Sequence, residues 1–264
     1  SRLSRGLGDV YKRQNLNKIA LIRNARGQDQ PNIENFALSA VKLGVDGLTL
    51  HPRPDLRHAT PDDVFKLKEI CKKHSKELNI EGNPFSQKTQ DYPGFLEIIK
   101  SNPPFQVTLV PDENNQLTSD HGWDSKYLNS KFFSLIEEHT PTETKFVSIF
   151  VDHNFSALND IKGTIINSIE IYTGPLAKAV EENNKKQLIS IQSAISRLVE
   201  DAKSAKLKVN AGHDLNLDNL KFLKECAEID EVSIGHSLIV DALKYGFDAT
   251  ILKYINAVKG YGYY

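Results

Sequence analysis

The chain has 264 residues, of which 39% are hydrophobic and 25% are charged, and its formal net charge is -1. This composition is typical of a globular protein with a substantial core, and the balanced charge excludes a general attraction to nucleic acid or to an anionic membrane, so neither is expected as a partner. No stretch is apolar for long enough to cross a bilayer. The two cysteines lack CxxC spacing and indicate neither a disulfide framework nor a zinc cluster, so a reducing cytoplasm is the expected location.

Residues 1–14 read SRLSRGLGDVYKRQ and carry basic residues and glycines without an apolar centre. The chain also contains no methionine. We interpret this segment as a leader or a remnant foreign to the fold, and we expect one domain over residues 15–264.

The remaining chain alternates short apolar stretches with longer segments whose apolar residues recur at helical spacing. Thr60-Pro61-Asp62-Asp63 offers an N-cap, a first-turn proline and two acids, and therefore predicts the start of a helix. The last predicted helix spans residues 240–258. The predicted strands are 15–22, 48–50, 78–82, 105–110, 145–151, 168–172, 207–210 and 231–234.

Eight strands that alternate with helices predict a parallel sheet, because each parallel return needs a crossover, which is usually a helix. Eight such units in a chain of this length predict a single α/β domain, a (β/α)8 TIM barrel. An open doubly wound sheet is the alternative, but no GxGxxG sequence follows a predicted strand.

The loop after the second strand reads His51-Pro-Arg53-Pro-Asp55-Leu-Arg57-His58. Each proline lacks a backbone N–H and disfavours helix in the residue before it, so the loop is expected to be stiff. Constrained charges at a strand end suit a site for phosphorylated substrates. The alternative is an ordinary connection in which Asp55 and Arg57 pair in solvent.

In such barrels the active site lies at the carboxyl ends of the strands. Histidines, a carboxylate and arginines at one mouth favour acid–base chemistry on phosphorylated carbonyl compounds. The residues at or just beyond the predicted strand ends are Asn15, Asn17, Lys18, Arg26, His51, Arg53, His58, Glu81, Thr118, Gly212, His213, Gly235 and His236.

Glu81 in a dry mouth would have a raised pKa and act as a base, whereas its structural alternative is an ion pair with a nearby lysine or arginine. Gly212 and Gly235 leave backbone N–H groups open for phosphate, although a barrel needs tight turns in any case. No HxH, HExxH or GxSxG sequence is present, so neither a metal site nor a serine nucleophile is expected.

These residues together resemble the pyridoxine 5'-phosphate synthase family, and the likeness runs in order from Asn15 nearly to the end of the chain. The motifs that carry it are Asn15-x-Asn17-Lys18-Ile-Ala, Arg23-Asn-Ala-Arg26-Gly, Gly47-Leu-Thr-Leu-His51-Pro-Arg53, Leu78-Asn-Ile-Glu81, Leu109-Val-Pro, Glu170-Ile-Tyr-Thr-Gly, Val209-Asn-Ala-Gly-His213 and Ile234-Gly-His236.

The resemblance implies a (β/α) barrel that condenses 3-amino-2-oxopropyl phosphate with 1-deoxy-D-xylulose 5-phosphate. The products are pyridoxine 5'-phosphate, inorganic phosphate and water. An imine forms between the amine of one substrate and the ketone of the other, and ring closure follows without a redox cofactor or a metal. Enzymes of this family assemble as homo-octamers, so the same assembly is expected here.

The resemblance also implies residue roles. His51 and Glu81 match the proton acceptors, and His213 matches the proton donor. Asn15 and Arg26 match substrate-binding residues. The positions that match phosphate and sugar contacts are Gly212-His213 and Gly235-His236 for the amine substrate, and Arg53, His58 and Thr118 for the pentulose phosphate.

One departure concerns Asn17-Lys18, where the family often has Asp-His in contact with the pentulose phosphate. Asn17 keeps hydrogen-bonding capacity, and Lys18 can offer charge to a phosphate. Retained activity is expected because His51, Glu81 and His213 are intact. The alternatives are another phosphate-binding barrel, such as a lyase or isomerase of sugar phosphates, and a non-catalytic barrel that binds a phosphorylated metabolite.

Overall fold

The computed structural model of the chain describes residues 11–114 and 116–260. Within that part, eight parallel strands pair in sequence order and close on themselves, which confirms the predicted single (β/α)8 barrel. The strands are β1 Tyr11–Asn15, β2 Gly47–Leu50, β3 Glu77–Gly82, β4 Gln106–Leu109, β5 Phe146–Val151, β6 Ser168–Tyr172, β7 Lys208–Gly212 and β8 Glu231–Ile234.

Helices connect the strands on the outside of the barrel, and a short 3-10 turn, Ser125–Tyr127, precedes the fifth of them. None of the helices in the described part is both long and apolar enough to span a membrane. The α-helices are α1 Asn17–Asn24, α2 Ile33–Leu43, α3 Pro61–Lys73, α4 Phe95–Ser101, α5 Ser130–His139, α6 Leu158–Ile161, α7 Gly174–Glu181, α8 Lys185–Ser204, α9 Leu220–Cys226, α10 His236–Tyr245 and α11 Phe247–Lys259.

The strands are buried on both faces, as expected for a parallel sheet covered by helices. Apolar residues such as Leu48 and Ile80 belong to the hydrophobic core, whereas the alternate residues Thr49 and Asn79 are polar and fully buried. Because neighbouring side chains on a strand point to opposite faces, the polar set fills the barrel interior. Polar side chains therefore occupy the barrel interior, while the hydrophobic core lies between the strands and the helices.

A charged cluster fills the amino-terminal end of the barrel interior. Arg13 on β1 lies 2.5 Å from Glu231 and 2.6 Å from Glu77, and Lys208 lies 2.7 Å from Glu231. Arg13 and Glu231 are both buried, so each charge depends on its partners for stabilisation. This cluster connects β1 across the barrel interior to β3 and β8, and β7 to β8.

The first unit differs from the sequence prediction. The strand predicted over residues 15–22 is wrong, because β1 ends at Asn15 and most of that stretch forms α1. Ile19 and Ala20 are buried on this helix, whose apolar run resembles a strand in the sequence. The assignment of all of residues 1–14 outside the fold is also wrong for Lys12, Arg13 and Gln14, which pair with β8; residues 1–10 lie outside the described part.

The predicted helix over residues 240–258 is two helices, α10 and α11. Gly246 has a φ of 80° between them, a conformation that glycine adopts without strain. Other boundaries agree closely: β6 and β8 match their predicted ranges, and α3 begins at Pro61 behind a Thr60–Asp63 capping box.

Candidate active site

The carboxyl ends of the strands surround a cavity of about 540 Å³. Arg26 lies outside it, exposed in the turn after α1. Gly212 lies behind Glu170: a side-chain carbon on this glycine would come within 2.3 Å of the carboxylate oxygen Oε1. The other predicted site residues all line the cavity: Asn15, Asn17, Lys18, His51, Arg53, His58, Glu81, Thr118, His213, Gly235 and His236.

His51 and Glu81 form the first pair of titratable groups. Nδ1 of His51 lies 3.8 Å from Oε2 of Glu81. Burial lowers the pKa of His51 well below its usual value, and the charge of Arg53 lowers it further. The imidazole is therefore neutral at physiological pH and can accept a proton.

A second carboxyl group, Glu170 on β6, lines the same cavity. Burial raises the pKa of Glu81 well above its usual value, and the charge of Glu170 adds to the effect. Burial, together with Glu231, raises the pKa of Glu170 to about 8. Since two buried carboxylates repel each other, the pair retains protons near neutral pH, so the cavity holds both an acid and a base.

His213 occupies an unusual backbone position at the end of β7. Its φ is 82° and that of Asp214 is 56°, both in the left-handed region that costs energy for residues other than glycine. Thr173 stabilises this turn, with Oγ1 lying 2.7 Å from the carbonyl oxygen of Gly212 and 2.5 Å from that of His213. The turn directs the imidazole of His213 into the cavity.

Both ring nitrogens of His213 have polar neighbours. Nδ1 lies 3.1 Å from Oδ2 of Asp214, and Nε2 lies 2.7 Å from Oγ1 of Thr118. A carboxylate beside Nδ1 favours a proton on that nitrogen. Nε2 is then the ring nitrogen that can exchange a proton with a ligand.

One wall of the cavity is cationic. Burial lowers the pKa of Lys18, and the charges of Arg57 and Arg53 lower it further. The three cations therefore lie close enough to repel one another. Arg53 forms an ion pair with Asp112. Burial also lowers the pKa of His58 to about 3, with the neighbouring arginines adding to the effect. A phosphate dianion would relieve the repulsion within this cluster.

The start of α10 provides a second anion-binding feature. Gly235 and His236 line the cavity, and the helix that begins at His236 has no side-chain cap on its first N–H groups. Uncapped N–H groups at a helix start bind phosphate, aided by the helix dipole. Asn15 packs against Gly235. A side-chain carbon added to Gly235 would lie 3.1 Å from Cβ of Asn15.

Several cavity residues carried no assignment from the sequence. For Glu170, the available signal was an acid within the buried strand SIEIY. A phenylalanine or serine in a strand gives no such signal, because these residues also occupy ordinary core positions. Within the described part, no group of three or more His, Cys, Asp or Glu is arranged to hold a metal. The unassigned lining residues include Arg57, Phe150, Glu170, Asp214 and Ser233.

The fold and the cavity define a (β/α)8-barrel enzyme of the acid–base class, with cationic and helix-terminal sites suited to phosphorylated ligands. A family model described as "Pyridoxal phosphate biosynthesis protein PdxJ" matches residues 13–260. The chain belongs to this family.

Curated relatives agree with the family match. The chain is 40% identical over 247 residues to a pyridoxine 5'-phosphate synthase of Xanthomonas campestris pv. campestris (strain B100), covering 93% of this chain and 95% of the relative. It is also 40% identical over 243 residues to the enzyme of the same name from Xylella fastidiosa (strain M23), with 92% of each chain covered.

Solved structures of other barrels resemble the chain in fold alone. A thiamine phosphate pyrophosphorylase from Pyrococcus furiosus superposes with a TM-score of 0.57 at 10% identity, covering 96% of each chain. A mutant tryptophan synthase alpha-subunit from the same organism gives a TM-score of 0.58 at 16% identity, covering 96% of this chain and 98% of that one.

Proposed function

We propose that this chain condenses 3-amino-2-oxopropyl phosphate with 1-deoxy-D-xylulose 5-phosphate to give pyridoxine 5'-phosphate, inorganic phosphate and water, a step of vitamin B6 biosynthesis. The observation that carries the proposal is the convergence of His51, Glu81, Glu170 and His213 with a cationic wall in one cavity. This arrangement occurs in a chain 40% identical to named synthases over 93% of its length.

Proton transfer is the work of the histidines and carboxyl groups. Imine formation and the later eliminations require protons to be removed from carbon and nitrogen and supplied to departing oxygen atoms. His51, held neutral by burial, is a proton acceptor. Glu81 retains its own proton because burial raises its pKa, so it accepts a proton only after passing that one on. Glu170, whose pKa is about 8, carries a proton at neutral pH and stabilises negative charge that develops beside it.

His213 is the proton donor. Its Nε2 faces the cavity beside Thr118, while Asp214 stabilises the positive charge that the ring carries when protonated. Protonation of a leaving hydroxyl or phosphate oxygen from Nε2 regenerates the neutral ring. The next turnover then begins with a proton taken from water.

The two phosphate groups bind on different walls. The amine substrate's phosphate binds at His213 and at the uncapped start of α10, formed by Gly235-His236. Gly212 lies behind Glu170, and this geometry gives its predicted binding role no support. The pentulose phosphate binds along the cationic wall with Arg53, His58 and Thr118, and Lys18 adds a further charge there.

The predicted roles of three further residues differ in their support. Asn15 lines the cavity beside Gly235, in keeping with a substrate contact. Asn17 also lines it, but its side-chain oxygen is engaged by the backbone of His51, so its contribution is to hold that histidine. Arg26 lies outside the cavity of its own chain, and this geometry gives its binding role no support.

The assembly and location that accompany this function are a homo-octamer and the cytoplasm. The first follows from the family resemblance, and the second from the two free cysteines, Cys71 and Cys226. Light scattering of the purified chain tests the assembly directly.

The decisive experiment incubates the chain with both substrates and follows inorganic phosphate and pyridoxine 5'-phosphate. We expect both products from the unmodified chain and a loss of roughly 10²- to 10⁴-fold in kcat for Glu81→Gln, which removes a proton acceptor but keeps the shape of the side chain. Glu200→Gln, an exposed change on α8, is the matched control and should leave kcat unchanged.

The rival functions give different results. A sugar-phosphate lyase or isomerase would turn over one phosphorylated substrate alone. A non-catalytic barrel would bind a substrate without product, and Glu81→Gln would then keep the affinity with no turnover to lose. Either result contradicts the proposal.

A further inference from the structure

Arg57 joins two loops at the mouth of the cavity. It belongs to the loop after β2, and its guanidinium Nη2 donates to the carbonyl oxygens of Gln116 at 2.8 Å and Leu117 at 2.7 Å, in the loop after β4. Nη1 lies 3.2 Å from Oδ2 of Asp55. The guanidinium thus spans two consecutive backbone carbonyls while a carboxylate holds its other side.

The backbone around Arg57 is held in a conformation that directs the side chain toward residues 116 and 117. Leu56 has a φ of 52°, a left-handed conformation that is strained for leucine. The side-chain amide of Asn24 donates to the carbonyl oxygen of Leu56 at 3.1 Å, and the backbone N–H of Arg57 donates to Oδ1 of Asp55 at 3.1 Å. Strain that neighbouring hydrogen bonds maintain is typical of functional positions.

Polar contacts, rather than apolar packing, hold the segment that Arg57 contacts. The side chain of Leu117 is 85% exposed, so burial of this residue contributes little to its position. Nη1 of Arg53 also donates to the carbonyl oxygen of Gln116, at 3.0 Å. Two arginines therefore fix residues 116–117 from the side of the cavity.

The next residue along this segment is Thr118, whose Oγ1 lies 2.7 Å from Nε2 of His213. A displacement of the preceding carbonyls would carry the Thr118 hydroxyl away from the imidazole. Arg57 is thus connected to the reacting nitrogen of His213 through one peptide segment.

We propose that Arg57 is a positioning residue that holds residues 116–118 so that Thr118 stays on Nε2 of His213. The inference rests on the proposed function for its kinetic consequence, and it adds a residue to which neither the sequence motifs nor the family resemblance gives a role. A lysine cannot replace Arg57 fully, because its single ammonium nitrogen cannot contact both carbonyls and Asp55 as Nη2 and Nη1 do from two sides of the guanidinium.

The test compares Arg57→Gln, Arg57→Lys and Arg197→Gln, the last being a control at an exposed arginine on α8. Hydrogen exchange read by mass spectrometry reports on residues 116–122 without any substrate. We expect faster exchange there in Arg57→Gln, an intermediate change in Arg57→Lys and none in Arg197→Gln. Unchanged exchange in Arg57→Gln overturns the inference.

Kinetics then separate positioning from direct substrate binding. We expect kcat of Arg57→Gln to fall about 10- to 100-fold, and KM for the pentulose phosphate to rise by less than about tenfold because Arg57 also contributes charge to the cationic wall. In a Thr118→Val background, Arg57→Gln should reduce kcat by less than about twofold further, because the contact it maintains is already lost. A large rise in KM at constant kcat, or fully additive losses, overturns the inference.

The two proposals fail separately. If the unmodified chain makes no pyridoxine 5'-phosphate, the proposed function fails. The exchange comparison still decides whether Arg57 holds residues 116–118, because it needs no substrate.

Discussion

The side-chain oxygen Oδ1 of Asn17 accepts a hydrogen bond from the backbone N–H of His51 at 2.8 Å. Asn17 in turn donates its own backbone N–H to Oδ1 of Asn15 at 2.9 Å. These bonds connect the end of β1 to the loop after β2 and fix the start of that loop, where His51 stands. The departure of Asn17 from the aspartate frequent in the family therefore preserves the position of His51, since an amide oxygen accepts this bond as a carboxylate does.

Replacing Asn17 by alanine tests this connection. The change leaves the buried N–H of His51 without its partner, and we expect the free energy of unfolding to fall by about 1–2 kcal/mol and kcat to fall roughly tenfold. Asn17→Asp keeps an acceptor, so its stability should stay within about 0.5 kcal/mol of the unmodified chain. Urea denaturation and phosphate release measure the two effects; equal behaviour of both variants would show that the bond does not position His51.

Glu170 should make stability depend on pH. Its pKa is about 8 in the folded chain, against a usual value of 4.5, so between these values the folded chain keeps a proton that the unfolded chain has lost. The free energy of unfolding therefore decreases as pH rises through this window. Glu170→Gln has no proton to lose, and we expect it to be more stable than the unmodified chain by on the order of 4–5 kcal/mol at pH 8.5, with little difference at pH 4.5.

Urea denaturation at pH 4.5, 7 and 8.5 measures the effect of Glu170. The control is Glu200→Gln, which changes an exposed carboxylate on α8 and should follow the unmodified chain at every pH. Parallel stability curves for Glu170→Gln and the unmodified chain would contradict the raised pKa.

The sequence was sufficient for the barrel and for most of the cavity, because strand ends in this fold share one face and polar residues at those ends are visible as motifs. It was insufficient for Glu170, because a single acid within an apolar strand does not show whether its side chain faces the cavity. It also failed at α1, where an apolar run followed directly on a short strand rich in charge. Arg57 could not be assigned because its function lies in contacts to backbone carbonyls of a distant loop, which leave no pattern in the residues that supply them.

Arg13 should be essential to stability although it lies in a segment that the sequence suggested was foreign to the fold. Arg13→Met leaves Glu231 fully buried with Lys208 as its remaining strong partner, and we expect a loss of about 3–5 kcal/mol at pH 7. Adding Glu231→Gln to this variant removes the buried negative charge and should recover part of the loss. Thermal or urea unfolding measures the stability of both variants. An Arg13→Met variant as stable as the unmodified chain would show that the Arg13–Glu231 pair contributes no net stability.

His51 should remain neutral at a pH where a solvent-exposed histidine is protonated. Burial and the charge of Arg53 lower its pKa well below 6.5, so the proton acceptor stays in its basic form as the solution is acidified. We therefore expect the decrease of kcat/KM on the acid side to lie well below pH 6.5. The His51 ring resonances should stay constant through that pH in an NMR titration, and His51→Asn assigns those resonances by their loss.

The neutral His51 ring also makes stability depend on pH. The free energy of unfolding decreases as pH falls through the usual histidine value, because the unfolded chain then binds a proton that the folded chain does not. A titration of the His51 ring near pH 6.5 would contradict this prediction and remove the reason for its neutrality in the site.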